Sequence, residues 1–305
     1  MNENNILDNR FIDQNYKRHA KVWVVVATHK AFDMPKDKMY VPLHVGAEGK
    51  YDADGELLDL GFQKDNTGDS ISEKNSRFCE LTGLYWAWKN LKADYIGLVH
   101  YRRYFKGVGK LLSSKKADNR FGQVLSYKQL RPMLNDYKII VPKKRRYYIE
   151  TLEQHYAHNH YIEELNMARD VMLEKYPDYE AAYKKAIGRT WGYMFNMMIL
   201  RYDLLDEYCS WLFDILFEME KRFDEKAISE NHDGKDLTSF ENRYPGRVSE
   251  RIFNVWLEYQ LENGKIKPSD IKEIPFMYME KINIINKGFT FLRAKFLGKK
   301  PQKSF

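Results

Sequence analysis

The sequence predicts an α/β protein built on a mostly parallel sheet with added helices. Three observations predict it. Short β-branched runs alternate with longer segments whose apolar residues recur every three or four positions. Of the 305 residues, 44% are hydrophobic and 15% aromatic, enough for a sizeable core and too many for a disordered chain. No internal repeat divides the chain.

In chain order, KVWVVVAT (21–28) reads as a buried first strand, followed by a loop over 29–35. YVPLHV (40–45) is a second strand, and the Gly-, Asp- and Asn-rich stretch 46–72 is a long functional loop. From Ser76, taken as an N-cap, Phe78, Leu81, Leu84, Tyr85, Trp88 and Leu91 recur at helical spacing. YIGLV (95–99) is a buried strand that breaks off into His100, Tyr101, Arg102 and Arg103. YKIIV (137–141) is another, stopped by Pro142 and the basic run 143–146. Helices are expected over about 149–173 and 179–186, a strand over 194–200 (MFNMMIL) and an amphipathic helix over 204–223. Residues 228–247 read as a polar loop, and 249–261 as a helix opening with Ser249 and Glu250. The expected division is an N-terminal extension (1–20), a main domain (21–280) and a basic amphipathic tail (281–305).

Net charge is +7, from 50 Lys and Arg against 43 Asp and Glu. Lys281, Lys287, Arg293, Lys295, Lys299, Lys300 and Lys303, with no acid among them, account for that excess. The body is therefore balanced, which argues against a nucleic-acid partner of the basic-stripe type. Phe289, Phe291, Leu292, Phe296 and Leu297 interleave with the tail's cations, the pattern of an interfacial anchor on anionic lipid or else of a solvated tail. Only Cys79 and Cys209 occur, which excludes a disulfide framework and fits a reducing compartment. The start has no signal pattern and no apolar run reaches the roughly 18 residues of a spanning helix, so a cytoplasmic protein held peripherally at the inner face of the membrane is expected.

In sheets of this kind ligands lie at the carboxyl ends of the strands. A site that grips a diphosphate through a divalent cation presents carboxylates there. This chain presents His100-Tyr101-Arg102-Arg103 instead, and guanidinium groups bind phosphate oxygens directly, so no metal and no cofactor are expected. In DNTGDSISEKN (65–75), Gly68 permits a turn, Asp69 can accept from sugar hydroxyls, and the amides near Ser76 can face an anion. Glu80, on an otherwise apolar helix, needs a partner such as an Arg or a ligand hydroxyl. Glu250, read as lying in the first turn of its helix, either compensates the dipole or takes a proton from an acceptor hydroxyl as a general base. His155, His158 and His160 lack a carboxylate to complete a metal set and read as surface or acceptor-groove histidines. Trp191, Tyr193, Phe195 and Met197 pack a strand or stack on a sugar ring, with Asn196 the unusual polar member among them.

THKAFDMP (28–35), VPLHVGAE, DNTGDSIS, FCELTGLYWAWKN (78–90), DYIGLVHYRRYF (94–105), FNMMI, YCSWLFDIL (208–216) and SERIFNVWL (249–257) together resemble a bacterial family catalogued as a domain of unknown function, over about residues 21–261. That family is similar to GT-A-like, Rossmann-type glycosyltransferases of capsule, exopolysaccharide and O-antigen synthesis, some of which transfer galactofuranose from UDP-galactofuranose. The resemblance implies a UDP-sugar donor, with Thr28 and His29 at the uridine and Asp69 and Asn75 lining the donor pocket. It places His100, Tyr101, Arg102 and Arg103 near the diphosphate and makes Glu250 the base. Glu80 joins the donor side, and His160, Trp191 and Asn196 the acceptor side, where a lipid-linked glycan is expected. Two rival readings remain: a metal-dependent retaining hexosyltransferase using Asp233 or Asp236, and a non-catalytic polysaccharide-assembly scaffold.

Overall fold

The computed structural model describes residues 19–107, 120–229 and 241–280. Nearly all of the N-terminal extension, the basic tail and both Asp233 and Asp236 lie outside the described residues.

The first strand is β1 (Val22–Thr28), every residue of which is buried. Its alternation separates two cores: Trp23, Val25 and Ala27 join one apolar cluster, and Val22, Val24 and Val26 the other. β2 (Tyr40–His44) and β4 (Tyr95–His100) flank β1 in parallel. The short β3 (Gln63–Lys64) pairs only with Leu43 and His44, so Pro42 sits where β2 has no outer partner and the missing donor is tolerated. Beyond β4 come β9 (Met198–Arg201), β6 (Ile139–Pro142) and β10 (Ile271–Ile274). Of these only β9 runs against the rest. β5 (Arg103–Phe105) folds back against β4 and pairs with β11 (Phe276–Tyr278). The expected mostly parallel α/β sheet is thus observed.

One helix, α1 (Asn75–Phe78), ends at Cys79, whose φ of 52° breaks the run before α2 (Leu81–Asn90). Ser76 is therefore inside α1 and Lys74 stands at its cap, which corrects the expected N-cap. Gly83 lets α2 lie close on the sheet, since a Cβ there would come within 2.9 Å of a Val45 methyl. The outer layer holds α4 (Leu152–Asn159), α5 (Ile162–Lys175), α6 (Glu180–Ile187), α7 (Tyr202–Ser229) and α8 (Tyr244–Glu262); the short α3 (Tyr127–Leu130) precedes β6. The expected helix over 149–173 is two helices, because His160 and Tyr161 are extended at the junction. A reciprocal cap opens α4, Thr151 accepting from the Gln154 amide at 3.1 Å while Gln154 accepts from the Thr151 amide at 3.0 Å.

Two boundaries matter for the site. α8 begins at Tyr244, with Pro245 in its first turn, so Ser249 and Glu250 lie in its second turn and not at its start. The strand expected from 194 starts only at Met198, because Phe195 and Asn196 form a turn with φ of 80° and 50°.

Candidate active site at the carboxyl edge of the sheet

The strand order departs from β1 in both directions, to β2 on one side and β4 on the other, the arrangement at whose carboxyl ends open α/β sheets hold ligands. The register sets Thr28 level with His44 and Ala27 level with His100, so the ends of three strands meet there. Thr28 Oγ1 donates to the Lys30 carbonyl at 2.6 Å and turns the chain out of β1. The Tyr101 ring is buried, and His29, Lys30, Phe32 and Arg102 surround it, with His29 edge-on at 5.4 Å and the Arg102 guanidinium 5.1 Å from its centre.

Deeper in the cleft the turn at Phe195–Asn196 ties the elements together. The left-handed backbone suits Asn and strains Phe. Phe195 is held by Phe276 edge-on at 4.9 Å and by the Arg103 guanidinium, 4.0 Å from its ring centre and 4.8 Å from that of Tyr278. The Arg103 Nε is buried and has no hydrogen-bond partner among the described residues. His100 Nε2 lies 2.8 Å from the Phe195 carbonyl, which can only accept, so this nitrogen carries the proton. Burial, aided by the Arg103 charge, pushes the His100 pKa down to about 4, and the ring is neutral at pH 7.

Asn196 Nδ2 donates to Glu80 Oε1 at 2.7 Å and to the Gly246 carbonyl at 3.0 Å, while its Oδ1 accepts from Ser249 Oγ at 3.0 Å. One side chain thereby joins the residue that caps α2, the turn before β9 and α8. Burial raises the Glu80 pKa above the usual carboxylate range, against the Asn196 hydrogen bond and the charges of Arg103 and Arg243. His29 is lowered by burial and then by Lys30, Arg102, Arg243 and His44. Four cations, Lys30, Arg102, Arg103 and Arg243, therefore act on one small region of the sheet edge.

Glu250 Oε2 accepts from Arg251 Nη1 at 2.9 Å, and its charge reaches both His100 and Tyr147. It stands between the sheet edge and a second polar group built by residues 145–158. There the buried Glu150 accepts from His155 and His158, each Nδ1 at 3.1 Å, and the Tyr147 ring lies 3.9 Å from that of His155. Burial and Arg251 lower His155 to about 4. Among the described residues no three His, Cys, Asp or Glu side chains converge as a metal set. Asn254 ties residues 189–193 to α8: it accepts from the Tyr193 amide at 2.8 Å and the Arg189 guanidinium at 3.1 Å, and donates to the Glu250 carbonyl at 2.8 Å. Trp191 is fixed in this way, with Arg189 3.8 Å and Lys144 4.1 Å from its ring centre.

The structure thus brings together Thr28, His29, Glu80, His100, Tyr101, Arg102, Arg103 and Asn196, with Glu250 beside them. Asn75 is nearby but engaged: it packs on Gly46 and donates to the Cys79 carbonyl and Thr82 Oγ1. Asp69 sits elsewhere, bonded to Tyr85 and bracketed by Asn90 near the far end of α2. His160 caps α4 with its ring edge-on to Tyr156 at 5.0 Å. Sequence reasoning passed over Asp65, Arg243, Tyr278 and Glu280, the last of which pairs with Arg102 at 3.4 Å. Tyr278 and Glu280 had no signal, because β11 joins the site only through pairing with β5. A concavity of about 410 Å³ lined by Glu153, Arg169, Leu173, Tyr183, Lys184 and Ile187 holds none of the residues singled out in sequence.

Lys30, Arg102, Arg103 and Arg243 thus gather at the carboxyl edge of a mostly parallel α/β sheet, the edge where sheets of this kind hold ligands. The chain belongs to the family described as a domain of unknown function, DUF4422, whose model matches residues 23–261. No curated protein matches it. A solved apo structure of the bifunctional glycosyltransferase WbbM is similar at 28% identity with a TM-score of 0.72, covering 86% of this chain and 46% of that one. The chain therefore spans about half the length of the WbbM chain. Family membership and fold, both expected from the HYRRYF and CELTGLYWAWKN blocks, are borne out.

Proposed function

We propose that this protein is a glycosyltransferase of bacterial polysaccharide synthesis that moves a hexose from UDP to a lipid-linked glycan, with galactofuranose the first sugar to test. The observation that carries the reading is the convergence of Lys30, Arg102, Arg103 and Arg243 on the carboxyl edge of β1 and β4, where a diphosphate finds charge without a bridging metal. The WbbM likeness supports the reaction class. In the inverting route, the acceptor hydroxyl oxygen attacks the anomeric carbon as the bond from that carbon to the UDP oxygen breaks. Glu250 takes the hydroxyl proton, and Arg102 and Arg103 stabilise the charge that passes to UDP. Thr28 and His29 flank the donor base, while Trp191, Asn196 and His160 belong to the acceptor side.

Calorimetric titration of UDP into the purified protein, first in EDTA and then with Mn2+, tests this site. Binding in EDTA is expected. Binding only with metal would overturn the arginine site and favour the retaining, metal-dependent reading. Glu250→Gln is expected to keep UDP affinity and to lower transfer by about 10²- to 10⁴-fold, the usual worth of a positioned base. A protein that neither binds UDP nor transfers sugar under either condition would favour the scaffold.

A further inference from the structure

Residues 143–149 (KKRRYYI) leave the end of β6 and form a short finger beside the acceptor side of the site. Both faces of its base are pinned. The Lys143 amide donates to the Ile274 carbonyl at 2.9 Å, β7 (Arg145–Arg146) pairs with β8 (Trp191–Gly192), and the Tyr147 amide donates to the Thr190 carbonyl at 2.8 Å. The tip is unlike the rest of the surface. Tyr148 is 81% exposed and Ile149 72% exposed, the two most exposed large apolar side chains among the described residues. Tyr148 also holds a φ of 58°, a backbone conformation that favours Gly or Asn and turns a bulky ring outward here. Just before it come four consecutive cations. Lys144 is engaged by Glu273 at 3.1 Å, whereas Lys143, Arg145 and Arg146 form no ion pair among the described residues, Arg145 resting its guanidinium 5.2 Å from the Tyr147 ring centre. The nearest carboxylates are occupied: Glu150 is buried under His155 and His158, and Glu273 also accepts from Tyr193.

A tip on a pinned base, presenting an aromatic and an aliphatic residue beside cations that form no ion pair among the described residues, matches one surface chemistry. The apolar pair suits the level of lipid headgroups and the cations suit their anionic charge. We propose that the 143–149 finger is a docking surface for an anionic lipid bilayer, with Tyr148 and Ile149 entering the headgroup layer and Lys143, Arg145 and Arg146 facing its phosphates. Tyr147, on the inner side of the same finger, lies against His155 and within reach of the Glu250 charge. A bilayer on the finger would therefore hold a lipid-linked acceptor at the side of the cleft where Glu250 stands. That last step rests on the transferase reading, and the docking itself does not.

The test is co-sedimentation of the full chain with vesicles of phosphatidylcholine, alone or with about a third phosphatidylglycerol, a lipid that supplies the negative surface charge. Binding to the anionic vesicles only is expected. Arg145→Gln with Arg146→Gln should lower the partition coefficient by roughly 25-fold, at about fivefold for each cation lost near the surface. Tyr148→Asn with Ile149→Ser keeps a residue suited to the left-handed turn and should lower it by about tenfold for two apolar side chains withdrawn. The urea unfolding midpoint should be unchanged in both variants, which shows that they fold whether or not the protein binds UDP and so separates this result from failure of the transferase reading. Partition equal to wild type in both variants would overturn the proposal, whatever the tail beyond residue 280 contributes. Loss of partition in the arginine variant alone would equally overturn it, leaving only an anion-binding surface.

Discussion

Two carboxylates, one buried and one half-buried, stand at the sheet end of α2, and their surroundings differ. Asp65 is fully buried and saturated: it accepts from the Gly46 amide at 2.9 Å, the Ala47 amide at 3.1 Å, Thr82 Oγ1 at 2.6 Å and Ser72 Oγ. Among the described side chains only Asn196 donates to Glu80, and His100 Nε2 is 4.0 Å away. The first has no lone pair to spare and organises the loop before α1, including Gly46, whose φ of 68° leaves room for Asn75. The second keeps its proton longer and has capacity left for a ligand. Burial and saturation together mark Asp65 as a carboxylate that holds the fold, and the spare acceptor capacity of Glu80 is what the proposed donor site would use.

Asp65→Ala breaks the comparison most directly. It strands two backbone amides and two hydroxyls, and the loss of more than one charge-assisted bond should cost about 3–4 kcal/mol in urea unfolding. A cost under about 1 kcal/mol would mean that the network is redundant. Glu80→Gln retains the Oε1 acceptor for Asn196, so stability should change by less than about 1 kcal/mol while sugar transfer falls about tenfold. The variant also has a pH signature. Between its unfolded pKa and the raised folded one, Glu80 holds a proton that the unfolded chain has released, so wild-type stability falls as pH rises through the folded pKa. Denaturant titrations above pH 4.5 should show that decline flattened in Glu80→Gln.

The histidines provide the opposite slope. His100 is lowered to about 4 from 6.5, so on acidification the unfolded chain takes a proton before the folded one, and stability is lost as pH falls from 6.5 towards 4. His155 is lowered to about 4 as well, at the finger side of the site. His100→Gln and His155→Gln should each flatten this acid limb by part of its slope and the double variant by more. An unchanged limb in both single variants would show that neither ring is held neutral.

Much of this was legible in sequence, and the reason lies in which signals are local. β1 and β4 are continuous apolar runs, and the break at His100 is visible because a cationic tetrapeptide follows an apolar strand. Glu80 stood out as a lone acid on an apolar face. Asp65 did not, because its four donors come from 18 and 19 residues before it and 7 and 17 after it, and only folding assembles them. The residue chosen from that loop, Asp69, is instead bonded at the far end of α2. Glu250 was placed in a first turn because Tyr244 and Pro245 read as loop, yet Pro is well suited to a helix start. The Phe195–Asn196 turn was hidden inside an apolar run, since hydrophobic patterning carries no sign of φ.

The smallest effect contrasts the two neighbouring arginines. Arg102 is 48% exposed and pairs with Glu280, itself 46% exposed, at 3.4 Å, so Arg102→Gln should shift stability by less than about 0.5 kcal/mol. Arg103 lies between Phe195 and Tyr278 with its Nε buried, a setting that a lysine cannot reproduce because its ammonium is compact and lacks the planar fork. If both bind the diphosphate, Arg102→Gln should weaken UDP about threefold and Arg103→Lys by a larger factor. Salt sharpens the difference. The Debye length shrinks from about 10 Å at 0.1 M to about 3 Å at 1 M, so the exposed Arg102 contribution should vanish at high salt while the desolvated Arg103 contribution persists. Equal salt sensitivity of the two variants in the calorimeter would mean that both guanidiniums act from solvent, and that the packing of Arg103 serves the Phe195 turn and not the ligand.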